Sequence, residues 1–183
     1  NIRNSRTDGI PSKVVALAPN ASTENKSIDR ETLIRYLRLL NQNENIIPVL
    51  LIAPNEKERS YANSINESFG NNLVVIEADL NAIASVIKNV DLVVAADTVI
   101  KHIADLCTTP LLEISKGESP FLKQGATHTG NLILTDSLLN RNFKAQDSVN
   151  SKITAEDIYA STIYMFSTTK NKKPRISDGT TLY

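Results

Sequence analysis

Apolar residues in this chain fall into two alternating patterns. Short, nearly continuous apolar runs occur at Lys13 to Ala18, Ile46 to Ala53, Leu73 to Ile76, Asp91 to Ala96, Leu111 to Ile114 and Asn131 to Thr135. Runs of this length, bounded by Pro, Gly, Asn or Asp, read as buried strands. Between them the apolar positions are spaced for helices: Leu33, Ile34, Leu37 and Leu40, then Ala62, Ile65 and Phe69, then Leu80, Ile83 and Ile87. A fourth helix is predicted from Thr98 to Leu106, and a last one from a cap at Thr154 to about Thr169, with Glu156 and Asp157 in its first turn.

The predicted helices carry start signals. Asp29, Asn55 and Asp79 are N-cap residue types placed just before apolar stripes. Ile28 is placed to staple onto Leu33, and Glu58 follows Asn55 by three residues as a capping-box partner. Pro48 lacks an N–H, so the paired part of the second strand is expected to begin near Val49. Strand and helix alternate five times, and the strands are apolar on both faces. This pattern predicts an α/β fold with a Rossmann-like parallel sheet of about six strands and helices on both faces. Residues 1–12, with Gly9 and Pro11, read as a linker, residues 13–169 as the domain, and residues 170–183 as a loose polar tail.

Composition narrows the function classes. A chain of 183 residues suits one domain with a full core. Lys plus Arg and Asp plus Glu both total 20, which gives no support for a nucleic-acid surface. The single cysteine, Cys107, excludes an internal disulfide and a cysteine-based metal cluster. No apolar run reaches membrane-spanning length and no secretion signal is visible, so a cytoplasmic domain is expected. The chain starts at Asn1 without an initiator Met, so it is expected to be a piece of something longer.

An open parallel sheet binds ligands beyond the carboxyl ends of its strands. The loops to inspect are therefore Pro19 to Lys26, Pro54 to Glu58, Ala78-Asp79, Asp97 to His102 and Ser115 to Gly125. Neither a Gly-x-Gly-x-x-Gly turn nor a P-loop is present, which removes the main support for dinucleotide and P-loop readings. A phosphoacceptor module of the response-regulator type would need an acidic cluster after the first strand, where Pro19-Asn20 stands instead. At Asp97-Thr98 a strand hands over to a helix, whose unpaired N–H groups make an anion site. Thr98 could hold a phosphate there, with His102 one turn further in. The bare residues read more readily as structural, with Asp97 or Thr98 capping the helix and His102 pairing with Asp105.

The segment Asp97-Thr-Val-Ile-Lys-His102, followed by a small-residue helix and a Pro-led strand at Pro110, resembles the Asp-Thr/Ser-Gly-x-x-His signature of the lipopolysaccharide heptosyltransferase family. Val15-Ala-Leu-Ala-Pro-Asn-Ala21 with Lys26 is similar to that family's first strand, Pro-Gly-Ala loop and phosphate-binding Lys. Ala53-Pro-Asn-Glu56 is similar to its Gly-x-x-Glu turn, and Ile153-Thr-Ala-Glu-Asp-Ile158 to the start of its closing helix.

The resemblance implies the C-terminal, donor-binding half of a GT-B glycosyltransferase, inverting and independent of metal or other cofactor. Its partners would be a nucleotide-diphosphate sugar of the ADP-heptose kind and an N-terminal Rossmann-like half carrying the acceptor and the catalytic base. Its place would be lipopolysaccharide synthesis, with peripheral contact to the inner membrane through the acceptor. The implied roles are diphosphate contact for Lys26 and Ser22 or Thr23, ribose binding for Glu56, sugar contact for Asp97, phosphate contact for Thr98 and diphosphate support for His102.

Three positions depart from the family pattern. Val99 replaces the signature Gly, Asn20 replaces the loop Gly, and Ser115-Lys-Gly-Glu-Ser-Pro120 replaces a Phe-Gly-Pro-Thr loop. In that last loop Lys116 is placed to supply an anion contact. The alternative reading is a non-catalytic domain of the same fold, used for binding or assembly.

Overall fold

The computed structural model describes residues 12–116, 130–136, 153–167, 176–177 and 180–182. Its elements, in chain order, are β1 (Lys13–Ala18), α1 (Arg30–Asn41), β2 (Ile46–Ile52), α2 (Glu56–Ser68), β3 (Val74–Glu77), α3 (Leu80–Ile87), β4 (Leu92–Ala95), α4 (Val99–Leu106), β5 (Leu111–Ser115), β6 (Leu132–Asp136), α5 (Ala155–Phe166) and β7 (Thr180–Leu182). A short 3₁₀ turn spans Glu24–Lys26. Most of the expected linker, and the polar stretch around Arg141 to Lys152, lie outside the described residues.

The seven strands form one sheet in the order β3-β2-β1-β4-β5-β6-β7. The first six are parallel, as the alternation predicts, and β7 runs antiparallel to β6. Strand residues alternate between two apolar layers. Val15, Leu17, Leu50, Val94 and Leu112 face α1, α2 and α5, whereas Val14, Ala16, Val49, Val93 and Leu111 face α3 and α4. Both layers exclude water, which explains why these strands read as continuous apolar runs rather than alternating ones.

Two differences from the sequence reading have clear causes. Pairing of β2 begins at Ile46, opposite Lys13, and includes Pro48 opposite Val15. The Ile52 carbonyl accepts from Ala78 on the β3 side, so Pro48, four residues earlier, faces the same way. There β3 does not yet run alongside, because its pairing starts at Val49–Val74, so no ladder bond is lost. At the other end of the chain, residues expected in a loose tail include β7, whose Leu182 is buried in the larger core layer.

Helix starts follow the local chemistry. The side chains of Asp29, Asn55 and Asp79 accept the N–H of Thr32, Glu58 and Ala82. Ile28 and Leu33 are both buried in the same core layer. Thr154 and Asp157 form a reciprocal capping box on α5. That helix stops at Phe166 rather than near Thr169, because Ser167 takes an extended conformation with ψ 132. The box expected at α2 is not reciprocal, since the Glu58 side chain turns to Asn20 instead.

Candidate functional site

Strand order reverses at β1. The chain moves outward to β2 and β3, then returns to place β4 on the other side of β1. The crevice beyond the carboxyl ends of β1 and β4 is the topological switch point, where such sheets take their ligands. Two loops meet there: Pro19 to Ile28 after β1, and Ala96 to Thr98 after β4.

The first loop is closed upon itself. Ile28 N–H donates to the Pro19 carbonyl at 2.9 Å. The Ser27 hydroxyl accepts from Ala21 N–H and donates to the Thr23 carbonyl. From the end of β5, Lys116 Nζ donates to the Ser27 carbonyl at 3.0 Å, fixing the loop from a third strand. The Glu24–Lys26 turn then aims Lys26 at the second loop, where its Nζ lies 3.2 Å from Asp97 Oδ2. The two segments thus share one rim of the sheet.

Asp97 carries a second cation. Lys101 Nζ, one turn along α4, lies 2.5 Å from Asp97 Oδ1 and 2.8 Å from Glu113 Oε1 on β5. Side-chain exposure falls along this row, from 23% at Lys26 and 14% at Asp97 to 2% at Lys101 and 1% at Glu113. Thr98 occupies the N-cap position of α4, but its side chain makes no capping hydrogen bond. Each oxygen of the Asp97 carboxylate lies against a lysine, Oδ2 against Lys26 and Oδ1 against Lys101.

Two cavities open at this rim. The larger, of about 720 Å³, is lined by Ser22, Thr23, Arg30, Lys57, Tyr61 and Lys116, among others. The smaller, of about 440 Å³, is mostly apolar and lies against Leu51, Ile52, Leu80, Ile83, Thr98 and Val99. Asn20, Ala21 and Glu58 line both. A hydrogen bond of 3.0 Å from Asn20 Nδ2 to Glu58 Oε2 fixes that shared wall. In the larger cavity's wall the Tyr61 hydroxyl is buried with no hydrogen-bond partner among the described residues, and burial pushes its pKa up to about 12.

The structure therefore brings Ser22, Thr23, Lys26, Asp97, Thr98 and Lys116 to one rim. Glu56 is not among them. Its side chain is 86% exposed, lies 3.6 Å from Arg59 and lines neither cavity. The carboxylate that faces both is Glu58, two residues on. His102 is exposed on the outside of α4 and also lines neither cavity. Asp105, its expected helix partner, accepts instead from Asn131 Nδ2 at 2.7 Å. Val99 stands at the first position of α4 in ordinary helical backbone, with its side chain at the mouth of the smaller cavity. Lys101 and Glu113 escaped the sequence reading, although each is a charge set inside an apolar run.

An αβα sheet with its polar rim at the β1–β4 switch point defines a Rossmann-like domain. The family model for glycosyltransferase family 9 (heptosyltransferase) matches residues 3–151, and the chain belongs to that family. Among solved structures it is similar to Escherichia coli heptosyltransferase WaaC with ADP, at TM-score 0.65 and 17% identity over 86% of this chain and 45% of that one. E. coli ADP-heptose lps heptosyltransferase II gives 0.64 and 15%, over 84% and 46%. A family 9 glycosyl transferase from Veillonella parvula gives 0.65 and 14%, over 85% and 46%. The chain therefore spans somewhat under half the length of each. No curated protein matches it in sequence. Among the described residues no helix is long and apolar enough to cross a membrane.

Proposed function

We propose that this chain is the donor-binding half of a heptosyltransferase-like glycosyltransferase that takes a nucleotide-diphosphate sugar at the β1–β4 switch point. The observation that carries this reading is the Lys26–Asp97 contact beside the N-terminus of α4. It sets an ammonium and a helix N-terminus around one small volume, next to an apolar cavity of about 440 Å³. The neighbour captured with ADP supports the choice of ligand.

In this reading the base lies in the smaller cavity and Glu58 accepts from the ribose hydroxyls. Lys26, the loop at Ser22 and Thr23, and the first turn of α4 hold the diphosphate. Asp97 accepts from a sugar hydroxyl. Inverting transfer breaks the bond between the sugar and the diphosphate, so negative charge grows on the leaving oxygens. Lys26 and the α4 N–H groups stabilise that charge where it forms. The acceptor and the base that deprotonates it belong to a second Rossmann-like half, in keeping with the share of the solved relatives that this chain spans. The same reading places the whole enzyme in lipopolysaccharide or cell-surface glycan synthesis, in the cytoplasm, reaching the inner membrane through its acceptor.

Thermal melting in the presence of ADP, UDP and GDP tests the proposal. A nucleotide at a hundred times its dissociation constant adds roughly 2.7 kcal/mol of stability. A shift with ADP that disappears in Lys26→Ala supports the donor site. Flat curves with all three favour the second reading, a binding or assembly domain. The observation behind that reading is Val99, whose side chain is 49% exposed at the cavity mouth.

A further inference from the structure

Lys101 and Glu113 are two ions almost wholly removed from water. The face of α4 that meets the sheet otherwise carries Ile100 and Ala104, and β5 presents Leu111 to the same layer. A buried ion pair is a poor source of stability, because desolvation offsets much of the attraction. Its geometry points to a different role. The row Glu113, Lys101, Asp97, Lys26 alternates in sign and ends at the rim. Of the two ammoniums on Asp97, Lys101 is enclosed between α4 and β5. Lys26 is partly exposed and rides on the loop after β1.

We infer that Lys101, backed by Glu113, is a positioning residue. It keeps the Asp97 carboxylate charge-balanced and fixed in direction when Lys26 is drawn onto an incoming diphosphate. Without it, Asp97 would have to retain Lys26, and a phosphate would compete with a carboxylate for one ammonium. The inference rests on the diphosphate site proposed above and adds a residue to it. Lys101 does not touch the ligand; it acts by releasing Lys26.

The test is calorimetric titration of the chain with ADP and with adenosine, which lacks the phosphates. Three proteins are compared: wild type, Lys101→Met/Glu113→Leu, and that pair with Asp97→Asn added. Circular dichroism checks that each is folded. Should the Met/Leu pair fail to fold, Lys101→Gln/Glu113→Gln replaces it, a near-isosteric pair able to hydrogen-bond.

In the double variant, ADP affinity is expected to fall about tenfold, the effect of one weakened charge-assisted hydrogen bond, while adenosine affinity stays put. Adding Asp97→Asn removes the carboxylate that holds Lys26 and restores ADP binding, an effect that a merely structural role would not produce. ADP carries no sugar, so the sugar contact assigned to Asp97 does not enter. The inference is overturned if the double variant binds ADP like wild type, if both ligands weaken alike, or if Asp97→Asn brings no recovery. Wild-type protein that binds no ADP at all would instead remove the donor-site reading, and this inference with it.

Discussion

Replacing Lys101 alone with methionine removes the ammonium that faces Glu113 at 2.8 Å and Asp97 at 2.5 Å. Asp97 keeps Lys26 and some solvent, but the Glu113 carboxylate, only 1% exposed, stays inside the fold without its cation. Breaking a buried pair by deleting one partner costs about 3–5 kcal/mol, most of it the penalty of an uncompensated buried charge. For a domain of this size each kcal/mol moves Tm by roughly 2–4 °C, so Lys101→Met should melt roughly 6–20 °C below wild type. Adding Glu113→Leu removes that buried charge and fills its volume. The double variant should recover most of the loss, ending within roughly 1–2 kcal/mol of wild type. Urea unfolding followed by circular dichroism measures both, with equal slopes showing that one transition is compared. If Lys101→Met unfolds within about 1 kcal/mol of wild type, or if the second substitution adds its own loss, the pair is not the enclosed charge cluster described above.

Two further outcomes follow from the packing. The Tyr36 hydroxyl, fully buried, lies 2.7 Å from Thr162 Oγ1 and ties α1 to α5, and burial raises its pKa well above the ordinary value. Unfolded tyrosine loses its proton near pH 10, while folded Tyr36 and Tyr61 keep theirs to higher pH, so stability is fully present below about pH 10 and falls as pH rises above it. Tyr36→Phe should cost about 1 kcal/mol at neutral pH and show a shallower alkaline decline; an identical decline in melts at pH 8 to 11 would contradict this. Thr108, a β-branched residue held at φ 55 after α4, stores strain, so Thr108→Gly should raise Tm by roughly 2–4 °C, and a lower Tm would show that its conformation carries no such cost.

The alternation of strands and helices was legible because it depends on local pattern: apolar runs of five or so residues, caps at Asp29, Asn55 and Asp79, and stripes at helical spacing. β7 was not legible. Its three residues pair with β6, 48 positions earlier at Leu134–Leu182, and only that pairing makes Leu182 a core residue. Within the site, the two loops could be placed on one rim from the parallel strand–helix alternation alone, and Lys26 and Asp97 meet there.

Helix phase separated the remaining candidates. Successive helical residues turn by about 100°, so Glu56 and Glu58 look in opposite directions from α2. Glu58 meets Asn20 while Glu56 meets solvent. On α4 the same geometry puts Lys101, four residues from Asp97, beneath that carboxylate, and turns its neighbour His102 outward. A lysine and a glutamate interrupting apolar stretches were the available signal for the buried pair, but pairing them required knowing that α4 packs on β5.

A structure of the chain with ADP bound tests the central claim most directly. The two phosphates are expected between Lys26 Nζ and the first turn of α4 at Thr98, within hydrogen-bonding distance of both, with the adenine against Leu51, Ile83 and Val99 in the smaller cavity. ADP bound elsewhere, or bound with Lys26 still on Asp97 and no phosphate at the helix N-terminus, would contradict it.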